Sequence, residues 1–181
     1  MLVIMSGAPG VGKSAIADEL GRRLRAPVIS VDLIEAAIVR SGIAKSFETG
    51  LAAYNVGAAL AESHLRLGLS VIADAANYLE VGRDIWRSAA TKTRATLEAI
   101  EVVCTDEAIH RRRLDERHRG LEPLVEPTWT DVLRWRAEFE PWTQERLVLD
   151  SVRPVGINVE HALSFLGVRS HTVVGLEGSG E

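Results

Sequence analysis

A chain of 181 residues with 46% apolar and 25% charged side chains has the length and composition of one globular domain able to bury a core. Its formal charge of −4 argues against a general nucleic-acid-binding surface, which would be basic, and leaves only a local basic groove open. One cysteine excludes a disulfide framework and a cysteine-based zinc site, and no apolar stretch is long enough to span a bilayer.

The first predicted element is an apolar strand over residues 2–6. It runs into Gly7-Ala8-Pro9-Gly10-Val11-Gly12-Lys13-Ser14, an unbroken G-x-x-x-x-G-K-[ST] pattern, and a helical stretch follows to residue 25. Strand, glycine-rich loop and helix in that order make a phosphate cradle. The glycines let successive N–H groups turn inward, and the helix adds its positive N-terminal end. The run from Gly7 to Ala15 is therefore the expected triphosphate site. Lys13 reaches the β- and γ-phosphates, and the Ser14 hydroxyl ligates Mg²⁺. The alternative, an ordinary glycine turn before a helix, leaves the Lys-Ser pair unexplained. An apolar start without a basic leader makes a cleaved signal implausible, so a cytoplasmic location is expected.

Short β-branched runs then alternate with helical patterns, as in a parallel sheet covered on both faces. Residues 27–31 read as the second strand, ending at Asp32, and 33–40 as a helix. An Ala-rich helix is expected over 51–67, with Gly68 at its end. The third strand, 70–73, ends at Asp74, and a helix over 79–93 follows. Residues 97–104 form the next strand, with Cys104 read as buried, and 106–119 the next helix. The segment 120–127 holds two prolines and is irregular. Helix returns over 128–140, with Val132, Trp135 and Phe139 on one stripe. A strand over 147–149 and a helix over 159–166 close the domain, taken as 1–168, and 169–181 reads as a frayed tail.

In an open parallel sheet, ligands collect beyond the carboxyl ends of the strands. Asp32 and Asp74 fall there beside the phosphate loop. One carboxylate can accept the proton of an attacking hydroxyl and the other can hold Mg²⁺ or its waters. The local alternatives make Asp32 a helix N-cap and Asp74 a turn former. The expected helix over 106–119 ends in Arg111, Arg112, Arg113, Arg117 and Arg119. Arg117 and Arg119, nearest the irregular segment, are the candidates for a mobile charge clamp; others are solvated or paired with Asp115 and Glu116. Trp129 is the aromatic best placed for an acceptor site, although tryptophans at helical spacing are more often core. His64, His110, His118, His161 and His171 show no metal-ligand spacing and read as surface or satisfied core residues.

The loop, Ser30-Val31-Asp32, and Val71 to Asn77 followed by Arg83-Asp84-Ile85-Trp86 resemble small P-loop kinases. That family includes polynucleotide 5′-hydroxyl kinases of the phage type, chloramphenicol phosphotransferase, gluconate-kinase-like enzymes and zeta-toxin-like kinases. The resemblance implies a three-layer α/β sandwich, a parallel five-stranded sheet of order 2-3-1-4-5, and a helical lid and acceptor region over about 111–142. It implies ATP and Mg²⁺ as cofactors; Ser14, from the loop motif, and Asp74, from its place at the end of the third strand, are the expected metal-side residues. By position, Asp32 matches the carboxylate that activates the acceptor hydroxyl. Arg119 could match a lid arginine. Asp74 with Asn77 matches an acceptor-side D-x-N block, with one extra residue between them. The polynucleotide kinases carry an arginine where this chain has Glu35, and a carboxylate there repels a phosphate-bearing acceptor. The expected partner is thus a neutral or cationic small molecule with a hydroxyl. A polynucleotide or nucleoside kinase, a toxin-type sugar-nucleotide kinase and an ATPase without acceptor remain alternatives.

Overall fold

The computed structural model describes residues 1–167; the expected tail lies outside the described residues. In chain order the elements are β1 (Leu2–Ser6), α1 (Lys13–Leu24), β2 (Val28–Ser30), α2 (Val31–Arg40), α3 (Phe47–Arg66), β3 (Val71–Asp74), α4 (Glu80–Thr93), β4 (Leu97–Val103), α5 (Glu107–Asp115), α6 (Trp129–Glu138), β5 (Leu147–Asp150) and α7 (Val155–Phe165). The strands form one parallel sheet in the order β2-β3-β1-β4-β5. Leu2 stands opposite Val71 on one side and Leu97 on the other.

Alternation along the central strand creates two cores. Val3 and Met5 point to one face, where Ile16 and Leu20 of α1 and Val159 and Leu163 of α7 cover them. Leu2 and Ile4 point to the other, against Ala53 and Ala61 of α3 and Trp86 of α4. A strand buried on both faces needs continuous apolar sequence, and all five residues of β1 are buried. Because every strand runs the same way, the carboxyl ends of β1, β2 and β3 open on one edge, where the site lies. Among the described residues, no helix is long and apolar enough to cross a membrane.

Several boundaries differ from expectation for local reasons. The Ser30 hydroxyl accepts a hydrogen bond from the Leu33 amide and caps α2, so Asp32 belongs to the first helical turn and is neither the end of a strand nor the N-cap. A reciprocal Ser46–Thr49 capping box starts α3 at Phe47, four residues early. Helix α5 stops at Asp115, well short of residue 119. Leu114 is its last buried residue, and the next positions on that face are Arg117 and His118, which offer nothing to bury. Arg117 and Arg119 therefore lie beyond the helix that was expected to carry them.

Candidate active site

The phosphate loop is the β1–α1 connection, and its shape is imposed by close backbone approach. Gly7 adopts φ 146°, and a Cβ on it would lie 2.4 Å from the Val102 carbonyl oxygen. Gly12 is left-handed, at φ 93°, where it caps α1. The loop is tied down from two sides. The Ser6 hydroxyl and the Gly7 amide donate to the Ala76 carbonyl at 3.0 and 3.2 Å. His110, wholly buried on α5, donates from Nε2 to the Pro9 carbonyl at 2.7 Å and accepts from Arg136 at Nδ1, 3.2 Å away. That pattern requires the neutral Nε2–H tautomer. Burial pushes the His110 pKa down and the Arg136 and Arg113 charges add to this, against the pull of the Pro9 bond.

Beside the loop lies a cleft of about 620 Å³. Its walls are the N-terminal turn of α1, the arginines Arg113, Arg117 and Arg119, and the β5–α7 connection around Ser151 to Pro154. Arg113, which the sequence reading passed over, is fixed there by donating to Ser151 Oγ at 2.9 Å and the Ser151 carbonyl at 3.0 Å. Lys13 is buried, with Nζ 3.7 Å from Oδ1 of Asp74, the last residue of β3. Asp74 Oδ1 is buried and has no hydrogen-bond donor, so it retains an acceptor for a cation or a metal-bound water. Ser14 lines the same cleft. No group of three or more metal-ligating side chains exists among the described residues. That sparse donor set fits Mg²⁺, which binds few protein groups and takes its remaining oxygens from phosphate and water.

Asp32 lies at the edge of the cleft, paired with the cleft-lining Arg119. Its Oδ2 pairs with Arg119 Nη1, while Arg119 Nε also pairs with Glu126 at 3.2 Å and Arg117 Nε stands 3.7 Å from the same carboxylate. Burial acts to raise the Asp32 pKa, but the charges of Lys13, Arg119 and Arg117 together outweigh it and hold the carboxyl below its ordinary value. Burial and the charge of Arg119 push the Arg117 pKa down. On the other side of Asp32 opens a second pocket of about 250 Å³, enclosed by α2, the first turns of α3 and the β3–α4 connection. Glu35, Tyr54 and Tyr78 line it with Asp32.

Two sequence candidates are placed elsewhere. Asn77 is fully buried with φ 49°. Its Nδ2 donates to the Met5 carbonyl at 2.6 Å and its Oδ1 accepts from Trp86 Nε1 at 3.0 Å, so both side-chain groups are consumed inside the fold and neither faces an acceptor. Trp129 packs on α5, edge to His110 at 5.1 Å and under Arg111 at 4.2 Å, and does not line the pocket beside Asp32. Arg83 is a buried clamp. It donates to the carbonyls of Asn77 (2.8 Å), Tyr78 (3.3 Å), Glu140 (2.8 Å) and Pro141 (3.2 Å), joining the β3–α4 connection to the segment after α6. The sequence pattern gave no hint of this, because the partners of Arg83 are main-chain carbonyls, two of them more than 50 residues away.

Comparison with known proteins agrees with this fold. Three solved structures share the fold at low identity. A sugar kinase from Janibacter sp. HTCC2649 superposes with a TM-score of 0.68 at 19% identity, covering 92% of this chain and 94% of that one. A gluconokinase from Sinorhizobium meliloti 1021 gives 0.65 at 18%, covering 91% and 90%. The APS kinase CysC of Mycobacterium tuberculosis, in complex with AMPPNP and APS, gives 0.69 at 17%, covering 92% and 96%. A comparison with curated proteins found no match. Residues 2–141 match the model of a family described as an AAA domain. The chain belongs to that family, as a domain of the small P-loop kinase type.

Proposed function

We propose that this chain is an ATP-dependent kinase that transfers the γ-phosphoryl group to a hydroxyl of a small molecule in the cytoplasm. The observation that carries this reading is the Asp32–Arg119 pair, which stands where two cavities meet. Arg119 lines the cleft beside the phosphate loop, and Asp32 lines the pocket on the far side. A phosphoryl transfer between two bound molecules needs such an arrangement, one chamber for the donor and one for the acceptor.

The loop amides and Lys13 hold the triphosphate. Ser14 and Asp74 hold Mg²⁺, which when bound neutralises charge on the phosphate oxygens. Asp32 orients the acceptor hydroxyl and takes its proton as the new oxygen–phosphorus bond forms and the bond to the β-phosphate oxygen breaks. In a loose transition state little proton abstraction is needed early, so a carboxylate of low basicity suffices. Arg119 must exchange Asp32 for phosphate oxygens, and that exchange frees Asp32 at the moment a donor is present. Arg113 and Arg117 complete the positive wall. Glu35 disfavours a phosphate-bearing acceptor such as a nucleic-acid end.

The test is ADP formation across aminoglycosides, phenicols, sugars, nucleosides and 5′-hydroxyl oligonucleotides. Asp32→Asn is expected to keep nucleotide binding and lose about 10²–10⁴ in turnover. Acceptor-independent ADP release that survives in Asp32→Asn would leave only an ATPase.

A further inference from the structure

The pocket on the acceptor side carries an uncompensated charge. Among the described residues lining it there is no Lys, Arg or His. Asp32 is already neutralised by Arg119 and lies within the field of Lys13. Glu35, one turn further along α2, has no such partner: among the described residues it makes no hydrogen bond and no ion pair within 4.0 Å. The Lys45 ammonium is close enough to act on it through space, yet Lys45 is exposed and outside the pocket wall. The Glu35 carboxylate is half-buried, and its Oε1 stands 3.7 Å from where a Cβ on Gly50 would sit, so it spans the pocket from α2 to the first turn of α3. Burial raises its pKa; Lys45 opposes that, and the charge of Asp32 adds to it. An anion held half out of water against a second carboxylate is an unfavourable arrangement that a bound cation would relieve.

The rest of the wall supplies what a cation with an apolar body requires. Phe47, Tyr54, Tyr78 and Leu79 line the same space. Tyr54 is held by the Asn77 amide, which donates to its hydroxyl at 3.1 Å, and Tyr78 stacks against Trp135 at 5.6 Å, so these rings are fixed. Aromatic faces attract ammonium groups and cover apolar carbon.

Resting on the kinase reading above, we propose that the acceptor is an amino alcohol with an apolar or aromatic body, its hydroxyl on Asp32 and its ammonium on Glu35. Residues three apart on a helix have Cβ atoms about 5–6 Å apart, which sets a short spacing of a few bonds between hydroxyl and ammonium. Glu35 is a specificity residue in this arrangement and takes no part in the chemistry.

The test compares three matched series by acceptor-dependent ADP formation: amino alcohols such as phenylalaninol, their N-acetyl derivatives, and the corresponding hydroxy acids such as 3-phenyllactate. The amines are expected to exceed their N-acetyl partners in kcat/KM by about ten- to hundredfold, the usual worth of one hydrogen bond to a charged group. Glu35→Gln should erase that preference mainly through KM, and Glu35→Lys should shift it toward the hydroxy acids, a reversal that mere loss of folding cannot produce. Equal or better use of the N-acetyl compounds, or a preference for the hydroxy acids in the unaltered chain, overturns the charge assignment while leaving the kinase reading standing. If no compound of these series stimulates ADP formation while a sugar, nucleoside or other hydroxyl compound of the wider panel does, this inference falls alone; if nothing in either panel stimulates it, the kinase reading falls with it.

Discussion

Lys13 and Asp74 illustrate how much a single position carries. Lys13 lines the cleft and is buried against Asp74. Lys13→Ala should abolish transfer, because no other ammonium reaches the loop; retained activity in that variant would mean the loop does not hold a triphosphate. Asn77 belongs to a different category. Its amide satisfies the Met5 carbonyl and the Trp86 indole in the interior. Asn77→Ala should lower unfolding free energy by about 2–4 kcal/mol, since two buried groups lose their partners, and denaturant titration measures it. A raised KM with unchanged stability would instead return Asn77 to the acceptor site. No spacing rule separates Asn77 from Asp74, which ends β3 three residues earlier; the backbone is left-handed at Asn77, and its amide turns inward.

Among the elements, α3 and the end of α5 do most to shape the site. The Ser46–Thr49 capping box fixes the first turn of α3, and that turn forms one wall of the acceptor pocket. Ser46→Ala should cost about 1 kcal/mol in thermal unfolding and weaken acceptor binding more than nucleotide binding. The box was readable as a Ser with a Thr three residues on, although Thr in place of Glu or Gln made the signal faint. At α5 the helix pattern continued on paper past Asp115 because Arg and Glu are good helix formers. The chain leaves the helix there so that Arg117 and Arg119 meet Glu126 and Asp32, a gain that propensity cannot register. Trp129 shows the same limit, since its nearness in sequence to Pro127 says nothing of the α5 face on which it packs.

For the molecule as a whole, folding and ligand binding are linked. A nucleotide held at a hundred times its Kd with magnesium should stabilise the chain by about 2.7 kcal/mol, enough to raise Tm by several degrees. Lack of any upshift with ATP, GTP or their analogues would contradict a nucleotide site. Stability should also depend on pH through His110. Its folded pKa lies below the unfolded value of about 6.5, so as pH falls below that value the unfolded chain takes up a proton the native histidine resists, and stability declines. Asp32 and Asp150, whose carboxyls are also held low, lose their contribution only at more acidic pH. Between pH 7.5 and 5.5 the fall in Tm should therefore be shallower in His110→Gln than in the unaltered chain.

The sequence by itself determined the order of strands and helices, the five-stranded parallel sheet and the position of the phosphate loop. Those features follow from local periodicity and from glycines in loop conformations that side chains disfavour, both of which are written along the chain. Only the tertiary structure decided which arginines face the cleft, that Asn77 and Arg83 hold the scaffold together, and that Glu35 lines a pocket of fixed rings with no ion-pair partner among the described residues. Such properties depend on groups 50 to 100 residues apart meeting in a low-dielectric interior, where the presence or absence of one partner changes what a carboxylate can do.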